Sequence, residues 1–241
     1  INSDFTTIET ENVTLIATEI NLEQDSTLNL SSNIWFEGNL IIQEGAILNT
    51  NGYDIDISGT LTNNGTLGLT VTGITAENKV YNGNAVATID TIAAALVGEV
   101  VVDGDAITLN TDSATGAFAD ENAGAGKTVT ISGLTVDGPD IGSYTIVQSP
   151  GLTADISKKD LTVSAAGVNK PYDGTTDATV TLTTDQLDGD DITASYTSAA
   201  FNDNKNVGIG KEVSVSGISI SGADVDNYNL LNTEAITIAD I

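Results

Sequence analysis

Two short stretches carry the side chains best placed for chemistry. Lys170-Pro171-Tyr172-Asp173-Gly174-Thr175-Thr176 sets an amine, a phenol and a carboxylate around a glycine, and Lys79-Val80-Tyr81-Asn82-Gly83-Asn84-Ala85 repeats it in altered form. A tyrosine beside a glycine turn serves either as an exposed aromatic that grips a ligand or as a packed residue at a module boundary. The second reading is adopted for Tyr81 and Tyr172, with the hydroxyl satisfied by backbone. Asp173-Gly174 signals a turn, because glycine accepts positive φ. Asp103-Gly104-Asp105 and Asp188-Gly189-Asp190-Asp191 offer the oxygen ligands that calcium takes. The full EF-hand loop is absent, so solvated turn carboxylates are the competing reading. Asp120-Glu121 and Asp203-Asn204 recur at matching places and would add ligands. Lys79 and Lys170, with Asn and Asp nearby, also raise a Lys–Asn isopeptide crosslink. That bond needs both groups buried beside a carboxylic acid, which nothing in the sequence indicates.

The remaining composition narrows the chemistry. The 241 residues include 34 acidic and 7 basic ones, for a formal net charge of −27. All the basic residues are lysines, and there is no His, Cys or Arg. Most of the usual catalytic repertoire is therefore missing, and the chain is expected not to be an enzyme. Such a surface repels nucleic acid and anionic bilayers and favours solubility and weakly held cations. Ala123-Gly124-Ala125-Gly126-Lys127 lacks the spacing of a phosphate loop. Paired acids for glycoside hydrolysis abound, but aromatics at 5% suggest no sugar cleft. No stretch approaches the roughly 20 apolar residues of a membrane span. With no Met and no signal-peptide core, a processed product or a fragment is expected. Without cysteine no disulfide framework exists, so a real hydrophobic core is required.

The two motif stretches open an internal repeat. Lys79, Tyr81 and Gly83 recur as Lys170, Tyr172 and Gly174, each copy followed by an Ala-Thr pair. Asp103-Gly104-Asp105 then matches Asp188-Gly189-Asp190, Phe118 matches Phe201, and Gly124-Ala125-Gly126-Lys127 matches Gly208-Ile209-Gly210-Lys211. Ser132-Gly133 and Tyr144 match Ser216-Gly217 and Tyr228. This order of motifs resembles the YDG-type module. The second copy fits it well; the first departs at Asn82, Asn84 and Ala85. The resemblance covers about two thirds of the chain and implies tandem modules of a bacterial surface protein or adhesin. It implies a stalk or spacer in an extracellular fibre, with neighbouring modules or subunits as partners and an unknown surface ligand. It does not imply catalysis.

The elements that must position these motifs read as β throughout. Residues 1–68 hold short alternating runs such as Val13-Thr14-Leu15-Ile16 and Asn39-Leu40-Ile41-Ile42, separated by polar turns. Short strands with short turns suit a parallel β-solenoid; a small antiparallel meander is the alternative. Asn51 and Asn63-Asn64 are candidates for side-chain ladders, and Trp35-Phe36 for a cap. Ala46-Ile47-Leu48-Asn49 and Thr60-Leu61-Thr62-Asn63, each followed by Asn-Gly after at most one further residue, resemble rungs of filamentous-haemagglutinin-type adhesins. Residues 69–158 and 159–241 form the two modules, each β-sandwich-like, with a β-grasp over a short helix as the alternative. Asp90 to Val97, with Ala93-Ala94-Ala95-Leu96 inside it, is the one helix-friendly stretch. The fold class is thus mainly β. The expected function is a rigid structural or adhesive segment. The alternative is a filament subunit that polymerises by donating a strand from residues 1–22.

Overall fold

The computed structural model describes residues 7–8, 13–50, 53, 55–59, 61–97, 107–138, 144–148 and 151–241. The fold is mainly β, and the chain forms two compact units. Unit one takes residues 1–77, 87–117 and 128–153; unit two takes 78–86, 118–127 and 154–241. The first Lys-x-Tyr stretch therefore belongs to the unit built mainly from the second repeat. Among the described residues no helix is long and apolar enough to cross a membrane.

Unit one starts as two stacks of parallel strands that the chain visits alternately. Val13–Leu22 runs parallel to Ile34–Ile42, which runs parallel to Ile55–Ile57 and Leu61–Asn63. Thr7–Ile8, Thr27–Leu30, Ile47–Asn49 and Thr66–Thr72 form the other stack. Parallel neighbours need a crossover, and here each stack supplies the crossover of the other. This is solenoid geometry; a meander would have antiparallel neighbours. The register places like on like: Leu40 beside Leu61, and Leu48 between Leu28 and Leu67. These side chains fill the interior together with Phe36 and Ile42.

Period-two alternation separates the adjacent aromatics, since neighbouring residues of a strand face opposite sides. Phe36 is 2% exposed in the core and Trp35 is 51% exposed outside it, so the pair does not act jointly as a cap. The observed amide ladder joins Asn49 Nδ2 to Asn29 Oδ1 at 2.7 Å. Asn63 instead caps the backbone N–H of Gly65, and Asn51 lies outside the described residues.

The stretch 90–97 is not helical. Asp90 Oδ1 accepts from Ile92 N, and Thr91 O accepts from Ala94 N, which closes a turn. Ala95–Val97 then pairs antiparallel with Thr70–Thr72. The local Asx turn and the open strand edge outweigh the alanine propensity.

Unit two contains a three-stranded antiparallel sheet of Ser198–Phe201, Lys211–Ser216 and Glu234–Ala239. A hairpin joins Val163–Val168 to Thr179–Thr184, and Thr193–Ser195 pairs with Ser219–Ser221. Lys159–Leu161 lies parallel to Tyr228–Leu230. Alternation along these strands turns Leu161, Val163, Val213 and Val215 inward. Residues 151–241 are all described, and their helical content is a single 3-10 turn, Val225–Asn227. The helix that a β-grasp requires is therefore absent from the second repeat.

Candidate functional site

Both Lys-x-Tyr stretches fold into loops wrapped around their own lysine. Lys170 Nζ donates to Asp173 Oδ1 at 2.9 Å, to Thr175 O and Oγ1 at 3.1 Å each, and to Asp177 O at 2.7 Å. Lys79 Nζ donates to Asn82 Oδ1 at 3.0 Å, to Asn84 O, and to Val86 O at 2.9 Å. The departure Asn82 thus keeps the role of Asp173, because an amide oxygen accepts as a carboxylate does. The two ammonium groups lie over Phe118 and Phe201, 5.3 and 5.6 Å from the ring centroids. Burial lowers the pKa of Lys79. Hydrogen bonds from the Thr175 backbone and from Lys170 draw the Asp173 carboxyl down to about 2. Gly83 and Gly174 have φ of 72° and 79°, which explains the glycine at this turn.

A second lysine closes a neighbouring loop. Lys211 Nζ donates to Asn204 O at 2.8 Å and Asn206 O at 2.7 Å, with Asp203 at 3.2 Å. It also approaches Phe201, 5.8 Å from the centroid, so Lys170 and Lys211 share one ring. In the first copy Lys127 binds Asp120 at 2.6 Å, and this contact lowers the Asp120 pKa. A further repeated chain ties the closing strands: Asp155 N donates to Asn78 Oδ1, and Asp155 Oδ1 accepts from Gly126 N, both at 2.7 Å. Asp240, Asn169 and Gly210 repeat it at 2.8 and 2.7 Å.

The two motif tyrosines differ sharply. Tyr81 is 4% exposed, whereas Tyr172 is 56% exposed. Tyr81 meets Tyr228 edge to face, ring centroids 5.6 Å apart. The Tyr228 hydroxyl donates to Asp190 Oδ2 at 2.6 Å and accepts from Leu187 N at 2.9 Å. Buried Asn227 accepts from Ala123 N at 2.9 Å through Oδ1, and its amide donates to Asn122 Oδ1 at 3.2 Å. Tyr81, the Asn122-Ala123 turn, Asp190 and Asn227-Tyr228 therefore make one polar and aromatic cluster within unit two. A packed tyrosine with its hydroxyl on backbone was expected at both positions. Tyr81 is packed, with the Asp190 and Asn227 side chains and not backbone at its hydroxyl. Tyr172 departs from the expectation: no described segment covers its ring, and it stands in solvent.

Burial pushes both phenols up to about 12, and hydrogen bonding to Asp190 with its negative charge adds to the shift. The folded chain thus favours the protonated phenols over the unfolded chain, whose value is 10.0. The stabilisation is complete below pH 10 and is lost as the pH climbs through 12. Thermal melts are expected to show this decline, and Tyr228→Phe should reduce its steepness. A melting temperature that stays flat across this window would contradict the cluster.

The acidic loops have a structural use. Asp190 accepts the Tyr228 hydroxyl, Asp191 Oδ2 accepts from Ala223 N at 3.2 Å, and Asp191 N donates to Asp224 at 2.8 Å. Asp188 lies in the same turn, while Asp103 and Asp105 lie outside the described residues. Among the described residues no three His, Cys, Asp or Glu side chains are grouped to hold a metal ion. Calcium at Asp190 would compete with the Tyr228 donor. Calcium titration at constant ionic strength is therefore expected to leave the near-ultraviolet tyrosine signal unchanged. A saturating change would place an ion in the loop.

In sequence Phe118, Phe201 and Tyr228 are repeat markers only, and Asn78, Asn169 and Asn227 carry no signal of their roles. The markers' recurrence at equivalent places was the available signal. What they grip became visible only when distant segments met. Searches against curated proteins and solved structures found no significant match. A family model, YDG domain, matches residues 65–151 and again 157–237, well over half of the chain. With its motif lysines and glycines shaping the same loop twice, the chain belongs to the YDG domain family.

Proposed function

We propose that this chain is a structural segment of an extracellular bacterial surface fibre, a stiff stalk or spacer that carries adhesive parts. The observation behind this reading is the use of the YDG motif itself. Its lysine and glycine shape the same loop in both repeats, and in the first repeat its tyrosine, Tyr81, joins a buried cluster made with the second. Only residues 152–156 separate the two matched segments, and so short a connector resists bending better than a flexible linker. The acidic surface, with its net charge of −27, suits a segment that stays hydrated and off anionic membranes.

Antibodies raised against the purified chain provide the test. Immunogold labelling of intact cells carrying the parent gene is expected on projections from the surface. Labelling that appears only after permeabilisation would overturn the reading. The strand-donation alternative would require Val13–Leu22, part of the run it uses, to exchange its pairing with Ile34–Ile42 for one with another subunit.

A further inference from the structure

We propose that Tyr172 and the Asn206-Val207 turn form a docking face for the Asp-Gly-Asp and Asn-Tyr loops of one further module of this type. The inference rests on the structural reading above and names the partner of one exposed face. The occupied counterpart is visible in the same unit. Tyr81 meets Tyr228 and lies beside Asp190, and Ala123 N donates to Asn227. In the second copy the matching residues are Tyr172 and Val207, 56% and 73% exposed.

The open face has the shape of the occupied one. Asn122 N is capped by Asp120 Oδ1 at 2.8 Å, and Asn206 N by Asn204 Oδ1 at 2.9 Å. Phe118 N donates to Ala85 O at 2.7 Å, and Phe201 N to Thr176 O at 2.8 Å. The Tyr172 and Asn206 loops sit side by side because Lys170 and Lys211 approach the same Phe201 ring. A Cβ on Gly83 would lie 3.7 Å from the Leu187 side chain, whereas one on Gly174 meets nothing within 4 Å. The difference is the presence of a second module's loop in one case only. A preformed face with an exposed ring and an exposed valine loses little conformational entropy on docking. The occupant must therefore offer an amide oxygen to a turn N–H and an aromatic edge, with a carboxylate beside the phenol, as Asn227, Tyr228 and Asp190 do.

The test extends the chain by a second copy of residues 157–241 placed directly after Ile241. Tyrosine nitration is followed site by site by mass spectrometry in the original and extended chains. In the original chain Tyr172 should react fast and Tyr81 slowly. In the extended chain Tyr172 should slow to the rate of Tyr81, and Tyr172→Ala should lower the melting temperature only there. A second variant carries Asn227→Ala in the added copy, which removes the amide that would meet the Asn206-Val207 turn, and there Tyr172 should react faster than in the extended chain. In both variants the added copy carries Tyr172→Phe, so the peptide followed is the original one. Tyr172 equally reactive in folded original and extended chains overturns the proposal, as do protection undiminished in the second variant and failure of the extended chain to fold. The surface-labelling result stands apart from either outcome.

Discussion

Tyr81→Ala is expected to destabilise unit two by about 3 kcal/mol, within the range for removing a buried aromatic side chain. Tyr172→Ala, at the same motif position, should change stability by less than about 0.5 kcal/mol, as an exposed site does. The contrast follows from surroundings alone. Tyr81 is buried against the Tyr228 ring and beside Asp190, while Tyr172 faces solvent. Tyr81→Phe keeps the ring and should lose only the hydroxyl's hydrogen bond, about 1 kcal/mol. In melts, Tyr81→Ala then lowers the midpoint by about 10 °C for a chain of this length. Equal effects at the two tyrosines would mean that the motif residue acts inside its own loop and not at the junction.

Lys211→Ala is the second large effect, expected at about 3 kcal/mol from the carbonyls left unsatisfied and the lost packing on Phe201. Lys211 is 8% exposed, and its ammonium holds Asn204 O, Asn204 Oδ1 and Asn206 O in one grip. Lys211→Met retains the apolar stem over Phe201 and isolates the loss of the donors, so it should recover part of the stability. Because the acceptors are adjacent carbonyls and not distant charges, raising the salt concentration should change this difference little. A strong salt dependence would shift the weight to the ion pair with Asp203, whose carboxylate is largely exposed.

The sequence made the β class and the tandem repeat legible, because period two and recurring motifs are local signals. Leu40 and Leu61 lie in runs whose spacing already suggested a solenoid, and the parallel register pairs them. The stretch around Ala93-Ala94-Ala95 misled because propensity is a weak force over a few residues, and the edge of Thr66–Thr72 was free to take a strand. The site was half legible. Lys79, Tyr81 and Gly83 announced a turn with a packed aromatic, but what Tyr81 packs on lies far along the chain. In sequence the Asp188–Asp191 loop reads equally as calcium ligands or as solvated turn carboxylates, because carboxylates look alike there. Only the fold brings Tyr228 and Ala223 to those oxygens. The asymmetry between Tyr81 and Tyr172 was invisible, since it depends on which copy has a neighbour and not on the copy itself.

The most direct measurement is a double-mutant cycle between Tyr81 and Tyr228, using Ala at the first and Phe or Ala at the second, with stability from denaturant titration. Two residues in ring contact and sharing Asp190 should couple by about 1–2 kcal/mol. That result would establish that the motif tyrosine of one repeat is part of the folded unit of the next. Additive effects, with coupling near zero, would contradict it and remove the basis for a jointed, stiff tandem.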